Sequence, residues 1–171
     1  MIKSIIDSLL IAAGWQPDAQ MDPEPWLSEL RQQQYPIFPQ LIKLLRHYGG
    51  FQLNSATLAQ PWQLDSSLEA LFAWTDQPIE IQLLPQLAPA LSEAAFWCSH
   101  AYVQLSGLQI APIGRIKCPN QKESSLFILS NGQIMHEYHR KSLCLLGANL
   151  PLALHRLLQS FLLIQAISEE L

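Results

Sequence analysis

The stretch Tyr35 to Ser55, YPIFPQLIKLLRHYGGFQLNS, decides the fold. Phe38, Leu41, Ile42, Leu45 and Tyr48 fall at i, i+3, i+4, i+7 and i+10, which is one apolar stripe of a helix. Pro36 and Pro39 suit the start of that helix, where a missing N–H is harmless. Gly49 fits the position just past the last turn, where a left-handed residue ties off the orphan carbonyls. Gly50 adds a second free hinge, so Phe51-Gln52-Leu53 leaves as a strand in a new direction. A helix packed on the strand that follows it is the seed of an α+β core.

Two helices are expected before this stretch. Ile2, Ile5, Ile6, Leu9 and Leu10 form an amphipathic stripe that ends at Gly14. Asp7 inside the stripe and a single lysine before it argue against a secretory signal peptide. Asp22 before Pro23 has the pattern of an N-cap with proline in the first turn, and Trp26, Leu27 and Leu30 supply the buried side of a short helix.

After the organising stretch the pattern is broken. Trp62-Gln63-Leu64 fits an edge strand, and Asp65 can cap a short helix through Leu68, Leu71 and Phe72. Pro78, Pro85 and Pro89 forbid any long regular element across residues 75–91. Ser92 can cap a helix that runs to Ser106, with Gly107 behind it.

The second half reads as sheet. Leu108 to Ile116 is apolar around Pro112-Ile113-Gly114, which predicts a strand with a bend or an edge position. Ser125 to Ser130 is a strand. Asn131-Gly132 predicts a two-residue type I′ hairpin, with Gln133 to Tyr138 as the returning partner. Ser142 to Leu146 adds a strand before Gly147. Pro151 opens a final helix, with Leu154, Leu157, Leu158, Phe161 and Ile164 on its buried side.

Composition bounds the chemistry. Charged residues make up 14% of the 171 residues, against about 25% in a typical soluble domain. The length fits one domain over residues 1–171. The net charge of −4 is uneven: residues 1–93 hold ten Asp/Glu against four Lys/Arg, and residues 94–171 hold four against six. That is not the basic stripe of a nucleic-acid binder. Residues 94–114 carry no formal charge, yet their Ser, His and Gln speak against a membrane span. Cys98, Cys118 and Cys144 are odd in number and widely spaced, which suits a reducing cytoplasm.

Neither a phosphate-binding glycine loop nor a nucleophile elbow occurs. His136 and His139, with Cys98, His100, Cys118 and Cys144, tempt a zinc reading. In a regular strand, however, His136 and His139 point to opposite faces, and the chain has no Cys-x-x-Cys pair. The sequence therefore gives no catalytic residue, no metal ligand and no cofactor site. Its candidate binding residues are acidic and aromatic: Asp18, Asp22, Glu24, Glu29, Asp76 and Glu80, expected in loops or short helices, with Trp26 and Trp74 near them. Such a surface would complement a basic protein partner. The competing reading is that the carboxylates are solvated and the tryptophans are core.

Several motifs, in order, are similar to those of a known family. LLIAAGWQPDAQMD, then Trp26 and Leu30, then a helix ending in HYGGF, resembles the opening of the third subfamily of the SUKH superfamily of immunity proteins. Ile110-Ala111-Pro112-Ile113-Gly114, Leu126-Phe127-Ile128, Asn131-Gly132-Gln133-Ile134 and Leu145-Leu146-Gly147 continue the likeness, with Gln63-Leu64-Asp65 in the middle. Two features depart from the pattern: the proline-rich residues 75–91 and Arg115 after the Pro-Ile-Gly. The resemblance implies an α+β fold, a mostly antiparallel sheet flanked by helices. It also implies a non-enzymatic bacterial protein that binds and neutralises a cognate toxin, often a nuclease, in the cytoplasm of the producing cell. The family has no catalytic residues to carry over, and toxin contacts vary among its members. Two alternatives remain: a regulatory or scaffold interaction module of the same fold, and a hydrolase with no visible motif.

Overall fold

The computed structural model of the chain describes Asp7, Leu10, Ile11 and residues 14–54, 80–82, 101–117, 124–138 and 142–157. Three helices, α1 (Glu24–Gln32), α2 (Pro39–Tyr48) and α3 (Ala101–Ser106), accompany six strands. These are β1 (Gln52–Asn54), β2 (Glu80–Gln82), β3 (Ile110–Lys117), β4 (Ser124–Leu129), β5 (Ile134–Tyr138) and β6 (Ser142–Gly147). Every neighbouring pair is antiparallel and the strands lie in chain order, so the sheet is a meander. Helices with an antiparallel sheet make this an α+β fold, as expected. Residues 150–157 add a further helical stretch.

Helix α2 has the expected frame. Pro39 opens it after an extended Phe38. Phe38, Leu41, Leu44 and Leu45 are buried, while Ile42 and Tyr48 pack on the core from its margin. The glycine assignment needs correction. Gly49 has φ −57° and is not left-handed, and the positive φ belongs to Gly50, at 71°. Gly49 is demanded by space instead. A Cβ there would come within 2.5 Å of the Leu45 carbonyl oxygen and 2.6 Å of Trp26 Cζ3.

Capping decides the other helix ends. At Gly14 (φ 93°), the N–H of Gly14 bonds Ile11 O at 2.9 Å and that of Trp15 bonds Leu10 O at 2.8 Å. Those are the paired 5→2 and 6→1 bonds of a Schellman stop. The end of α1 repeats the pattern with a glutamine in the left-handed position. Gln34 (φ 63°) bonds Arg31 O at 3.0 Å and Tyr35 bonds Leu30 O at 2.9 Å. Asp22 Oδ1 accepts the Glu24 N–H at 3.1 Å, the cap expected for α1. At residue 150 the cap is Asn149: its Oδ1 accepts from Leu152 at 3.1 Å and its carbonyl from Ala153 at 3.0 Å.

The sheet differs from expectation in two places, and at β3 it selects one of two expected alternatives. Strand β3 has the bend and sits inside the sheet, not at an edge. Its register steps between Pro112 and Gly114, leaving Ile113 as an extra, fully buried residue. A bulge is where a strand interior tolerates a residue with no N–H to give. Next, the β4–β5 hairpin has a three-residue loop, Ser130 to Gly132. Gly132 N–H bonds Leu129 O at 2.8 Å, Leu129 N–H bonds Gln133 O at 2.9 Å, and of Asn131-Gly132 only Gly132 is left-handed, at φ 92°. That is a type I turn closed by a glycine bulge, not the two-residue turn. Finally, Glu80 lies in β2, with Asn54 and Lys117 as register partners, and not in a loop.

In β4, Leu126, Phe127, Ile128 and Leu129 are all buried in succession, so both faces of that strand are covered. Ile110, Ala111, Ile116 and Ile134 extend the same core. Gly147 ends β6 against the helical stretch 150–157, where a Cβ would meet Ala153 N at 2.6 Å. Val103 of α3, Leu154 and Leu157 are buried. The expected elements at residues 62–72, the start of the helix at Ser92, and Leu158, Phe161 and Ile164 lie outside the described residues. No helix of the described residues is long and apolar enough to cross a membrane.

Gly49→Ala is expected to destabilise the protein by about 1–3 kcal/mol through overpacking against Trp26. Denaturant melts of Gly49→Ala, Trp26→Leu and the double variant check the cause. The double variant should lose less than the sum of the singles, and strict additivity would remove Trp26 from the explanation.

Candidate partner-binding surface

The chain between Gly14 and α1 wraps the C-terminal end of α2. A helix leaves its last four carbonyls without partners inside the helix beyond its own closing turn. Here each has a donor. Leu45 O receives Gly49 N–H at 2.9 Å, Arg46 O receives Met21 N–H at 2.9 Å, and Tyr48 O receives Phe51 N–H at 3.1 Å. His47 O receives the Trp15 indole N–H at 2.6 Å. The Trp15 ring also stacks on Tyr48, with centroids 5.3 Å apart and planes 12° from parallel. Burial pushes the Tyr48 hydroxyl above its usual pKa, and the negative charge of Asp7 adds to that shift.

These ties fix the backbone that carries the acidic residues. Asp18, Asp22 and Glu24 are exposed, and Glu29 is half-buried. Glu24 is partly engaged already: it pairs with Arg31 and accepts a hydrogen bond from Ser28 Oγ at 3.3 Å. Trp26 is half-buried and packs on the core, with its six-membered ring against Gly49 and Gly50. Its main work is therefore structural. Glu80 belongs to the sheet, as described, and Trp74 and Asp76 lie outside the described residues. So Asp18, Asp22, Glu24, Trp26 and Glu29 share the described segment that runs from Gly14 through α1.

Sequence reasoning missed Met21, whose side chain is 47% exposed between Asp18 and Asp22. The available signal was that Met21 belongs to no helical stripe and no alternating run. Its main-chain N–H is used on Arg46, so that tie takes nothing from the exposed side chain.

Among the described residues, the sheet holds one arrangement that resembles chemistry. Ser124 Oγ and His136 Nε2 share a hydrogen bond of 2.7 Å. The register pairs Leu126 with His136, so Ser124 and His136 share a sheet face. Burial pulls the His136 pKa down to about 4, so the ring is neutral at ordinary pH. A nucleophile with its base would also need a group that orients the other ring nitrogen. Glu137, next in the chain, alternates to the opposite face. The pair reads as a cross-strand hydrogen bond. Cys144 is the register partner of His136, but among the described residues no group of three His, Cys, Asp or Glu could hold a metal. Cys98, His100, Cys118 and His139 lie outside the described residues.

The described residues form an α+β domain with an acidic segment tied to the end of α2. The SUKH-3 immunity protein family model matches residues 2–160, and the chain belongs to that family. Comparison with curated proteins and with solved structures finds no match. The residues that suggested the family, from LLIAAGW to LLG, all lie within the matched span. Membership brings with it the theme of immunity through binding a toxin.

Two outcomes are expected. Trp15→Phe keeps a ring to stack on Tyr48 but removes the donor to His47 O, and should cost about 1–2 kcal/mol in a denaturant melt. For His136, the unfolded ring takes a proton near pH 6.5 while the folded one holds out to about 4. Stability present above pH 6.5 is therefore lost as the pH falls from 6.5 to 4 and levels off below, by at most about 3 kcal/mol. His136→Gln should flatten that part of the pH profile, and an unchanged slope would assign the loss to other groups.

Proposed function

We propose that this chain is a non-enzymatic immunity protein that binds a cognate polymorphic toxin stoichiometrically in the cytoplasm of a bacterium. What carries the reading is the family match over residues 2–160. The toxin class it suits is a nuclease. A nuclease presents a basic groove, and residues 1–93 carry the acidic excess. The toxin meets the pinned segment through Asp18, Asp22, Glu24 and Glu29, with the exposed Met21 as the apolar contact. Asp76, Glu80 and Trp74, from the same acidic half, extend the proposed surface. The whole chain acts as one domain in this role, touching neither nucleic acid nor membrane.

A fixed backbone lowers the ordering cost of association, and complementary charge speeds encounter. Catalysis has no part in this scheme, so inhibition should be complete at one immunity protein per toxin and independent of time.

The experiment titrates the purified chain against the toxin encoded beside its gene. Asp18→Lys with Asp22→Asn is the informative variant, because asparagine keeps the oxygen that caps α1. Association should slow by roughly tenfold and lose part of its salt dependence, with the melting curve unchanged. Unchanged kinetics, together with weaker binding by Arg115→Ala, would move the interface to β3. Turnover of substrate by the chain itself would end the binding reading.

A further inference from the structure

Strand β6 is an edge of the sheet among the described strands. Its sequence, SLCLLG, has no charged residue. An uncharged apolar edge is a template for pairing with another chain, and natural sheets block such edges. Cys144 is exposed, Leu145 is 46% exposed and Leu152, on the helical stretch 150–157 that meets Gly147, is 44% exposed.

The direction of the edge groups follows from the register. Leu129 donates to Gln133 O, so residues 133, 135 and 137 turn their backbone groups toward β4. Residues 134, 136 and 138 then turn theirs toward β6. Since His136 pairs with Cys144, Cys144 faces back to β5, and the backbone groups of Leu143 and Leu145 face outward. The register steps between Ile134 and Met135, which makes Leu146 the extra residue and tucks it into the core. The outward carbonyl of Leu145 is occupied: Arg156 Nη1 donates to it at 3.2 Å.

We propose that Arg156 blocks the β6 edge, keeping this strand from pairing with β6 of a second copy of the chain. Its guanidinium takes an acceptor that an incoming strand needs. It also places a positive charge at the middle of an edge that is otherwise uncharged. In the symmetric antiparallel pairing of two β6 strands, a second arginine would meet the first, so the block acts twice in the same dimer. The proposal does not depend on the toxin reading.

Sedimentation velocity of the full chain tests it across a concentration series. Arg156→Ala should self-associate about tenfold more tightly than the native chain, the equivalent of losing one charged hydrogen bond to the edge. A short bismaleimide should then cross-link two copies through Cys144, and Cys144→Ser should abolish that product. Adding Leu145→Lys to Arg156→Ala restores a charge to the edge and should return association to the native level. Unchanged self-association in Arg156→Ala would overturn the proposal. So would association that survives Leu145→Lys or gives no Cys144-linked product, because the contact would then lie elsewhere.

Discussion

The C-terminal carbonyls of α2 are the constraint on which the fold around the proposed surface depends. An unpaired buried carbonyl costs about 1–3 kcal/mol, and this helix ends against the core, with Leu44 and Leu45 buried in its last turns. Two of its four terminal carbonyls are served by the turn itself, through Gly49 and Phe51. The other two are served from a distance in sequence, by Met21 and by the indole of Trp15. One requirement therefore draws residues 15–26 across the helix end. The same requirement explains the glycine pair. Trp26 closes over the turn so tightly that Gly49 has no room for a side chain, and Gly50 must then reverse the chain through a positive φ.

The parts of this fold that were legible are those governed by periodicity and by a single dominant residue. The stripe from Phe38 to Tyr48, the stop at Gly14, the cap at Asp22 and the run from Ser125 to Ser130 are local patterns with local causes. What could not be read depends on partners remote in sequence. Gly49 looked like the left-handed stop because two adjacent glycines have equal freedom, and only the position of Trp26 separates them. Gln34 carries a left-handed stop with no glycine to announce it. Pro112 left a bend and an edge position equally open, because proline lacks a donor, and the bulge at Ile113 accommodates it in the interior. Glu80 looked like loop because Pro78 and Pro85 flank it, and three residues between prolines still suffice for a short strand.

The site divides in the same way. An ordered series of short motifs identified the family, because those motifs are caps, turns and strand ends that the fold itself requires. The proposed binding residues had no comparable signature. Asp18 and Asp22 were visible as charges, but Met21 became a candidate only through its exposure on the tied segment. Trp26 moved in the opposite direction, from candidate anchor to packing element. The Ser124–His136 pair shows why proximity alone is a poor guide to activity. Two strands in register bring a hydroxyl and an imidazole together, and strand alternation turns the adjacent carboxylate away.

The bond from Met21 to Arg46 is made by the main chain, and it has a consequence for how such a protein can change. Any residue other than proline can supply that N–H, so replacing the side chain at position 21 leaves the tie in place. Asp18, exposed on the same segment, is similarly uninvolved in holding it. The attachment of the segment and the chemistry it displays are thus set by different atoms. A lineage can rewrite the displayed side chains to follow a changing adversary while the frame beneath them stays still.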